Sequence, residues 1–215
     1  MKDTYRHKGL RRQLIATLKE KGITDEAILA TFDKIPRHFF LEKAFEEWAY
    51  TDKAFPIGNS QTISQPYTVA YQTQLLEVEK GDKILEIGTG SGFQAAILAT
   101  LGAKVFTVER QEYLFNKTSK LIKKLAIKDV QTFLGDGSVG LLEFAPFDKI
   151  IVTAAANRIP TALLKQLKVG GVLVIPVGQD RQQMFKIIKK SATQFQRMPL
   201  DYFKFVPLLK GVEKL

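Results

Sequence analysis

A glycine-rich turn is the part of this sequence best suited to hold a ligand. It follows a β-branched run at Lys83 and precedes a stretch of small residues, and it reads Glu86-Ile87-Gly88-Thr89-Gly90-Ser91-Gly92-Phe93. Glycines let the chain turn through conformations closed to other residues and let the backbone approach a ligand closely. A strand, a glycine turn and a helix in this order predict a nucleotide-type site.

The spacing of the glycines separates the cofactor classes. The dinucleotide fingerprint places its third glycine at position 93, where a pyrophosphate meets the helix N-terminus, but this chain has Phe93 there. Glu86, two residues before Gly88, is expected at the strand end, where it can hold an ammonium group or a bound water. S-adenosylmethionine carries an ammonium and no phosphate, so the turn favours this methyl donor.

Two more acidic residues close the next two predicted strands. Glu109 ends the run KVFTVE, 21 residues beyond Gly88, where a carboxylate can accept hydrogen bonds from ribose hydroxyls. Asp136 lies between Gly135 and Gly137, where an acceptor can take an adenine amino group. Each residue alone is compatible with an exposed turn, but three acidic strand ends at one sheet edge indicate a binding site.

The order of predicted elements indicates an α/β fold. Short β-branched runs alternate with helical stretches from Lys83 onward, which predicts a doubly wound, mostly parallel sheet with ligands bound outside the carboxyl ends of its strands. Residues 9–50 predict two or three short helices, with Thr24 as a cap, and residues 52–67 predict a loop before a helix near 68–78. The runs QMFKIIKKS and DYFKFVPLL predict an antiparallel hairpin at the sheet edge.

Composition limits the class of protein. The chain has 215 residues and no cysteine, which excludes thiolate chemistry and cysteine metal sites, and no metal site is predicted. No run of eighteen apolar residues occurs, so we expect a soluble, cytoplasmic protein without a membrane partner. Of the net charge of +10, residues 181–215 carry +6. This excess is compatible with attraction to acidic substrates or nucleic acid, but it is more typical of a solvated, solubilising surface, so we do not expect a nucleic-acid partner.

From about residue 32 to 209, the sequence resembles the L-isoaspartyl protein carboxyl methyltransferases. The most specific stretch is the run from Asn59 to Tyr67, in which Ser60 replaces the family's usual glycine before Gln61. The resemblance is also carried by IPRHFF, KILEIGTGSGFQAAILA, VFTVER, GDGSVG, APFDKIIVTAAA, IPTALLKQLKVGGVLVIPVG and FVPLL.

The resemblance implies roles for individual residues. Ser64 is implied to lie beside the methyl donor and contact the substrate carboxylate, although its position before Pro66 also fits a helix N-cap. A carboxylate is ionised at neutral pH and needs alignment rather than a strong base, so the two histidines are not required. The residues implied to bind S-adenosylmethionine are Gln61, Thr62, Ile63, Glu86, Gly88, Thr89, Gly90, Gly92, Glu109, Arg110, Asp136 and Gly137.

The resemblance further implies a single Rossmann-like class I methyltransferase domain over residues 1–215. Residues 1–78 supply the N-terminal helical extension and the substrate and cofactor loop, and residues 79–215 supply the core with antiparallel edge strands. Its implied partners are damaged proteins and peptides bearing L-isoaspartyl residues, whose methyl esters cyclise to succinimides and reopen to aspartate. We expect it to act as a monomer.

Three other functions stay open at the level of sequence. The basic tail makes an RNA or small-molecule methyltransferase conceivable, but the chain has Thr153-Ala154-Ala155-Ala156 where base-amino methylation typically uses a polar-Pro-Pro-aromatic turn. A non-catalytic module that retained the cofactor fold would bind the donor without turnover. A nicotinamide oxidoreductase is disfavoured by Phe93 and by the lack of a proton donor.

Overall fold

The computed structural model describes residues 2–214 and has helices on both sides of a central sheet. The α-helices in this range are α1 (Tyr5–Glu20), α2 (Glu26–Lys34), α3 (Pro66–Leu76), α4 (Phe93–Thr100), α5 (Glu112–Lys124) and α6 (Thr161–Gln166). Short 3₁₀ turns occupy Arg37–Phe40, Lys43–Trp48, Gly137–Val139 and Leu142–Phe144.

Seven strands form the central sheet, and two more form a separate ribbon. The ribbon strands are β1 (Phe55–Gly58) and β2 (Gln61–Ile63), and the sheet strands are β3 (Lys83–Ile87), β4 (Lys104–Glu109), β5 (Val130–Leu134), β6 (Phe147–Val152), β7 (Leu167–Val177), β8 (Gln182–Lys189) and β9 (Phe195–Phe203). The sheet order is β5-β4-β3-β6-β7-β8-β9; β3 to β7 are parallel, and β8 and β9 are antiparallel. The predicted doubly wound sheet with an antiparallel hairpin at its edge is confirmed. The second strand of the hairpin is Phe195–Phe203, however, so the predicted run DYFKFVPLL (201–209) shares only its first three residues with β9.

The strand order brings the ends of β3, β4 and β6 together. β3 lies between β4 and β6, so the turns after these strands meet at one sheet edge. The strand order reverses at β3, because the chain continues to β4 and β5 on one side of β3 and then crosses to β6 on its other side. In open α/β sheets, ligands bind in the crevice at such a switch point. The glycine turn, which follows β3, therefore lies at the edge of the sheet where a ligand is expected to bind.

The N-terminal helices pack onto the helix that follows the glycine turn. Phe32 in α2 and Phe40 meet Phe93 edge-on, with ring centroids 5.7 and 5.4 Å away, and Phe93 is fully buried. A glycine at this position, as in a dinucleotide site, would remove this aromatic cluster, in which the rings pack in the favoured edge-to-face geometry. Phe93 thus couples the N-terminal extension to the glycine turn.

Residues 52–67 differ from the predicted loop. β1 and β2 pair in an antiparallel ribbon, because Gly58 (φ +103°), Asn59 (φ +47°) and Ser60 (φ +56°) make a tight left-handed turn between them. Asparagine tolerates the left-handed region better than most residues, since its short polar side chain bonds locally. Helix α3 then begins at Pro66, two residues before the predicted start, because proline is preorganised for the first helical position.

The predicted cap at Thr24 is also wrong by one residue. Asp25 is the N-cap of α2, and its carboxylate accepts hydrogen bonds from the backbone N–H groups of Ala27 and Ile28 at 2.9 and 3.1 Å. The backbone N–H of Thr24 instead donates to Gln74. Within residues 2–214, no helix is long and apolar enough to cross a membrane.

Candidate functional site

A cleft of about 830 Å³ opens at the carboxyl ends of β3 and β4. The walls come from the ribbon, the glycine turn, the ends of β4 and β6, and a segment near the C-terminus. The lining residues used below are Gln61, Thr62, Ile63, Ser64, Gly88, Thr89, Gly90, Phe93, Glu109, Arg110, Gly137, Thr153, Ala154 and residues 206–209.

The glycine turn has backbone geometry that other residues would strain. Gly88, Gly90 and Gly92 have φ values of +97°, +51° and +82°. A Cβ on Gly88 would lie 2.6 Å from the hydroxyl of Thr153, which donates a hydrogen bond to the carbonyl of Gly88 at 2.7 Å. The turn therefore places bare backbone against the cleft, as close approach to a ligand requires.

Glu109 lies in the cleft and supports the glycine turn. Its side chain is 5% exposed, and its two carboxylate oxygens accept hydrogen bonds from the backbone N–H groups of Gly90 at 2.9 Å and Gln111 at 3.0 Å. A carboxylate has about four acceptor positions, so each oxygen retains capacity for a ligand hydroxyl. Glu109 can thus hold the turn and accept a ribose hydroxyl together.

Charge in the cleft suits a ligand without phosphate. Glu109 and Arg110 are its charged lining residues, and Arg110 donates to the carboxylate of Glu213 at 2.8 Å and to the carbonyl of Gly211 at 3.3 Å. No cation in the described lining is left free for a pyrophosphate. The residues present therefore fit S-adenosylmethionine, whose sulfonium and ammonium need acceptors rather than cationic partners.

Ser64 lies at the end of the ribbon with its hydroxyl unengaged. The predicted N-cap role is not observed, because the cap position of α3 is Gln65 and no side chain at this position bonds the helix. Asp52 performs this task instead: its carboxylate accepts from the backbone N–H of Tyr67 and from the side-chain amide of Gln65, both at 2.8 Å. The Ser64 hydroxyl makes no hydrogen bond to another described residue and remains available to a substrate.

The backbone of Ser64 is held by a buried arginine. Arg37 is 1% exposed and donates to the carbonyl of Ser64 at 2.9 Å, and its guanidinium lies 5.0 Å from the ring centroid of Phe93. Burial lowers the pKa of Arg37 to about 9, so it remains charged at neutral pH. Arg37 belongs to the IPRHFF run that carried the resemblance, and the structure links this run to the Ser64 loop.

Three of the residues singled out from the sequence lie outside the cleft lining. Glu86 is 0% exposed within the sheet, and neither carboxyl oxygen has a hydrogen-bond partner among the described residues. Gly92 lies behind the turn against Thr118. Asp136 is absent from the cleft lining, and its carboxylate accepts from the N–H groups of Ser138 and Gly211, at 2.8 and 2.7 Å. Their roles toward the donor stay predictions.

Several cleft residues were not singled out from the sequence. Residues 206–209 return over the sheet edge, where the backbone N–H of Ala155 donates to Val206 at 2.8 Å and that of Leu208 donates to Ala155 at 2.7 Å. Thr153 anchors Gly88 from the end of β6. The FVPLL stretch, which is part of the resemblance, contains residues 206–209. It gave no sign of a contact with the cleft, because it lies far along the chain from the glycine turn.

A separate cluster has the residue types of a metal site. Asp3, His7 and His38 offer ligand atoms that lie within 4.8 Å of one another. Asp3 already accepts two hydrogen bonds from Arg11, at 3.0 and 2.9 Å, and Nδ1 of His38 lies 2.7 Å from the hydroxyl of Tyr50. None of the three lines the cleft, so this cluster contributes no ligand to the proposed chemistry.

Comparison with known proteins gives consistent results. The family model described as protein-L-isoaspartate(D-aspartate) O-methyltransferase matches residues 9–213. A protein-L-isoaspartate O-methyltransferase of Flavobacterium johnsoniae is 61% identical over 98% of this chain and 99% of that protein, and one of Flavobacterium psychrophilum is 60% identical over the same shares.

Solved structures agree with the sequence relatives. A protein-L-isoaspartate O-methyltransferase aligns with a TM-score of 0.85 and 29% identity, covering 94% of this chain and 67% of that one. A putative enzyme of the same name from Plasmodium falciparum, in complex with S-adenosyl-L-homocysteine, aligns with a TM-score of 0.82 and 26% identity over 93% and 98% of the two chains. The chain belongs to the protein-L-isoaspartate(D-aspartate) O-methyltransferase family.

Proposed function

We propose that this chain transfers a methyl group from S-adenosylmethionine to the free carboxylate of L-isoaspartyl residues in damaged proteins and peptides. The observation that carries this proposal is the unengaged hydroxyl of Ser64, which lines both the cleft and a wider groove beside it. A peptide in the groove can therefore present a carboxylate to a donor in the cleft. Family membership supports the same donor and acceptor.

The reaction needs alignment of a nucleophile that is already charged. A substrate carboxylate is ionised at neutral pH, so no side chain has to remove a proton. Bound S-adenosylmethionine supplies an electrophilic methyl group on a sulfonium. The hydroxyl of Ser64 donates to one carboxylate oxygen and leaves the other free to attack in line. Ala154 and Phe93 bring no competing nucleophile into the cleft.

The donor is assigned to the residues that surround the cleft. We place its ribose at Glu109, its amino acid portion against the backbone of Gly88, Thr89 and Gly90, and its covering wall at Gln61, Thr62 and Ile63, all of which line the cleft. Arg110 and Gly137 border the position expected for the adenine. Glu86, Gly92 and Asp136 lie outside this lining, and their contacts with the donor remain part of the proposal.

Transfer of labelled methyl to paired peptides tests the proposal. The peptides are identical except for one L-isoaspartyl or normal aspartyl linkage, and base-labile label is expected on the isoaspartyl peptide alone. Ser64→Ala should lower the transfer rate about 10- to 100-fold, which is the loss expected for one hydrogen bond to a charged group. Affinity for S-adenosylhomocysteine should stay within a few fold.

A matched serine controls for general effects of the substitution. Ser191 lies in the turn between β8 and β9, outside the cleft and groove, and Ser191→Ala should retain wild-type transfer. An unchanged rate in Ser64→Ala would remove this residue from the mechanism. Donor binding without label on either peptide would refute the proposed activity and favour the RNA or binding-module alternatives.

Domain organisation, oligomeric state and cellular location also belong to the proposal. We infer a single methyltransferase domain, with residues 1–78 and 79–215 as its two parts, that acts as a cytoplasmic monomer. Contacts of α2 with α4 and of α3 with β6 and β7 support the joining of the two parts. Gel filtration with light scattering tests the oligomeric state, and cell fractionation tests the location.

A further inference from the structure

A wide groove adjoins the cleft on the side of the edge hairpin. It is open to solvent and shares Thr62, Ser64, Thr153 and Val206 with the cleft. Aromatic side chains form much of its wall: Tyr67, Tyr202, Phe203 and Phe205. A polypeptide that presents a carboxylate at Ser64 therefore has its neighbouring residues in this groove.

The groove carries an excess of positive charge. Its lining holds three cations, Lys21, Arg181 and Lys204, and one carboxylate, Asp180. Lys21 is paired with Asp52 at 2.6 Å, so its charge is largely compensated. Within residues 2–214, neither Arg181 nor Lys204 forms an ion pair with a carboxylate. These two exposed cations are the ones free to meet a ligand.

Arg181 is held in place without using its hydrogen-bond donors. The guanidinium lies over the ring of Tyr202, 4.8 Å from its centroid, which is within the range of a cation–π contact. No described residue accepts a hydrogen bond from this side chain. A guanidinium with unused donors can bind a carboxylate through two parallel hydrogen bonds.

The fold keeps Lys204 close to Arg181. Gln182 at the start of β8 pairs with Phe203 at the end of β9, so Arg181 and Lys204 flank the same cross-strand pair. The side-chain carbonyl of Gln182 also accepts from the backbone N–H of Phe205 at 2.8 Å. Two like charges at neighbouring strand ends repel each other, and an anion between them relieves that repulsion.

We propose that Arg181 and Lys204 bind an acidic side chain near the isoaspartyl residue, so that the chain prefers damaged peptides with glutamate or aspartate in the flanking sequence. This inference rests on the proposed function, because it assigns the groove to the same peptide substrate. It assigns a specificity role to two cations that do not touch the reacting carboxylate.

A flank scan in two peptide series tests the proposal. Each isoaspartyl peptide carries a single glutamate, or the isosteric glutamine, at one of the three positions before or after the damaged residue. Wild-type enzyme should show a KM about three- to tenfold lower for glutamate than for glutamine at one or more positions, the range expected for one or two exposed charge pairs. The difference should shrink in 1 M salt, where the Debye length falls to about 3 Å.

Variants that remove a positive charge identify which residues bind the acidic side chain beside the isoaspartyl residue. Arg181→Gln and Lys204→Gln together should bring the glutamate-to-glutamine ratio of KM close to one, while kcat on the glutamine peptides stays within about twofold. Arg197→Gln and Lys190→Gln are the matched controls, because both residues are exposed on the same hairpin and neither lines the groove. These controls should retain the wild-type ratio.

The outcomes separate this inference from the proposed function. The proposed binding of a flanking acidic residue would be overturned by either of two results: equal KM values for glutamate and glutamine peptides at every position in the wild type, or a preference for glutamate that survives in the Arg181 and Lys204 double variant. Neither result would contradict methyl transfer itself. Absence of transfer to every peptide, with donor binding intact, would instead refute the proposed function.

Discussion

Glu86→Gln is predicted to stabilise the protein increasingly as the pH rises. Glu86 is 0% exposed in β3, and both of its carboxyl oxygens are without a hydrogen-bond partner among the described residues. Burial, with a smaller contribution from the charge of Glu109, raises the pKa of Glu86 from 4.5 to about 8. The folded protein therefore keeps this carboxyl neutral at pH 7.

The sign and size of the effect follow from proton linkage. The unfolded chain releases the proton near pH 4.5, whereas the folded chain holds it to about pH 8, so the folded state binds more protons between these values. Stability from the neutral carboxyl is complete below pH 4.5 and is lost as the pH rises toward 8. At about 1.4 kcal/mol per pH unit, the loss between pH 5 and pH 7.5 is about 3 kcal/mol.

Glutamine has nearly the same shape and does not ionise, so the variant lacks this loss. Urea unfolding of both proteins at pH 5, 6, 7 and 7.5 measures the difference in free energy of unfolding, which should grow by about 3 kcal/mol across the series. Glu143→Gln, at an exposed position, is the control and should stay within about 0.5 kcal/mol of wild type throughout. Parallel pH curves for wild type and Glu86→Gln would refute the burial argument.

Two further substitutions test how the site is positioned. Gly88→Ala should destabilise the protein by about 3 kcal/mol and weaken S-adenosylhomocysteine binding at least tenfold, because the new Cβ adds a contact with Thr153 to the strain at φ +97°. Gly170→Ala, at φ +84° with open space around it, should cost only about 1 kcal/mol, and equal losses by calorimetry would contradict the contact argument. Asp52→Ala should lower the free energy of unfolding by about 2 kcal/mol and slow methyl transfer, because it removes the hydrogen-bond acceptor at the start of α3. Lys21→Met removes only the ion pair with Asp52 and should lower the free energy of unfolding, measured with urea, by about 0.5 kcal/mol.

The sheet and the glycine turn were predictable because their signals are local. Each buried parallel strand is a short β-branched run, and the alternation with helical stretches sets the parallel order. The glycines at 88, 90 and 92 lie in one continuous stretch, so their spacing could be compared directly with known cofactor turns. Strand β8 was visible in the same way, but β9 (Phe195–Phe203) was not, because it is a solvent-facing edge strand of mixed polar and apolar residues, and the predicted apolar run 201–209 overlaps it at only three residues.

The residues that depend on tertiary contacts were not predictable in the same way. Residues 206–209 reach the cleft only because the chain returns over the sheet edge to pair with Ala155, which no local pattern encodes. Glu86 reads as a strand-end acid, yet the position of β3 between two other strands buries it away from solvent. The predicted cap at Ser64 failed for a related reason, since Asp52 occupies that role from a preceding loop.

Asp52, and not Ser64, accepts the hydrogen bond at the start of α3, and this explains why the Ser64 hydroxyl remains available to a substrate. A serine before a helix normally spends its oxygen on a backbone N–H of the first turn. Here the carboxylate of Asp52 accepts the hydrogen bond from the backbone N–H of Tyr67, in the first turn of α3. Arg37 holds the backbone of Ser64 by donating to its carbonyl, so the Ser64 hydroxyl is left without a partner among the described residues. Methylation of a carboxylate asks only for such an oriented donor, because the nucleophile arrives ionised. The arrangement of Asp52, Arg37 and Ser64 therefore accounts for a site that contains no histidine in its described lining.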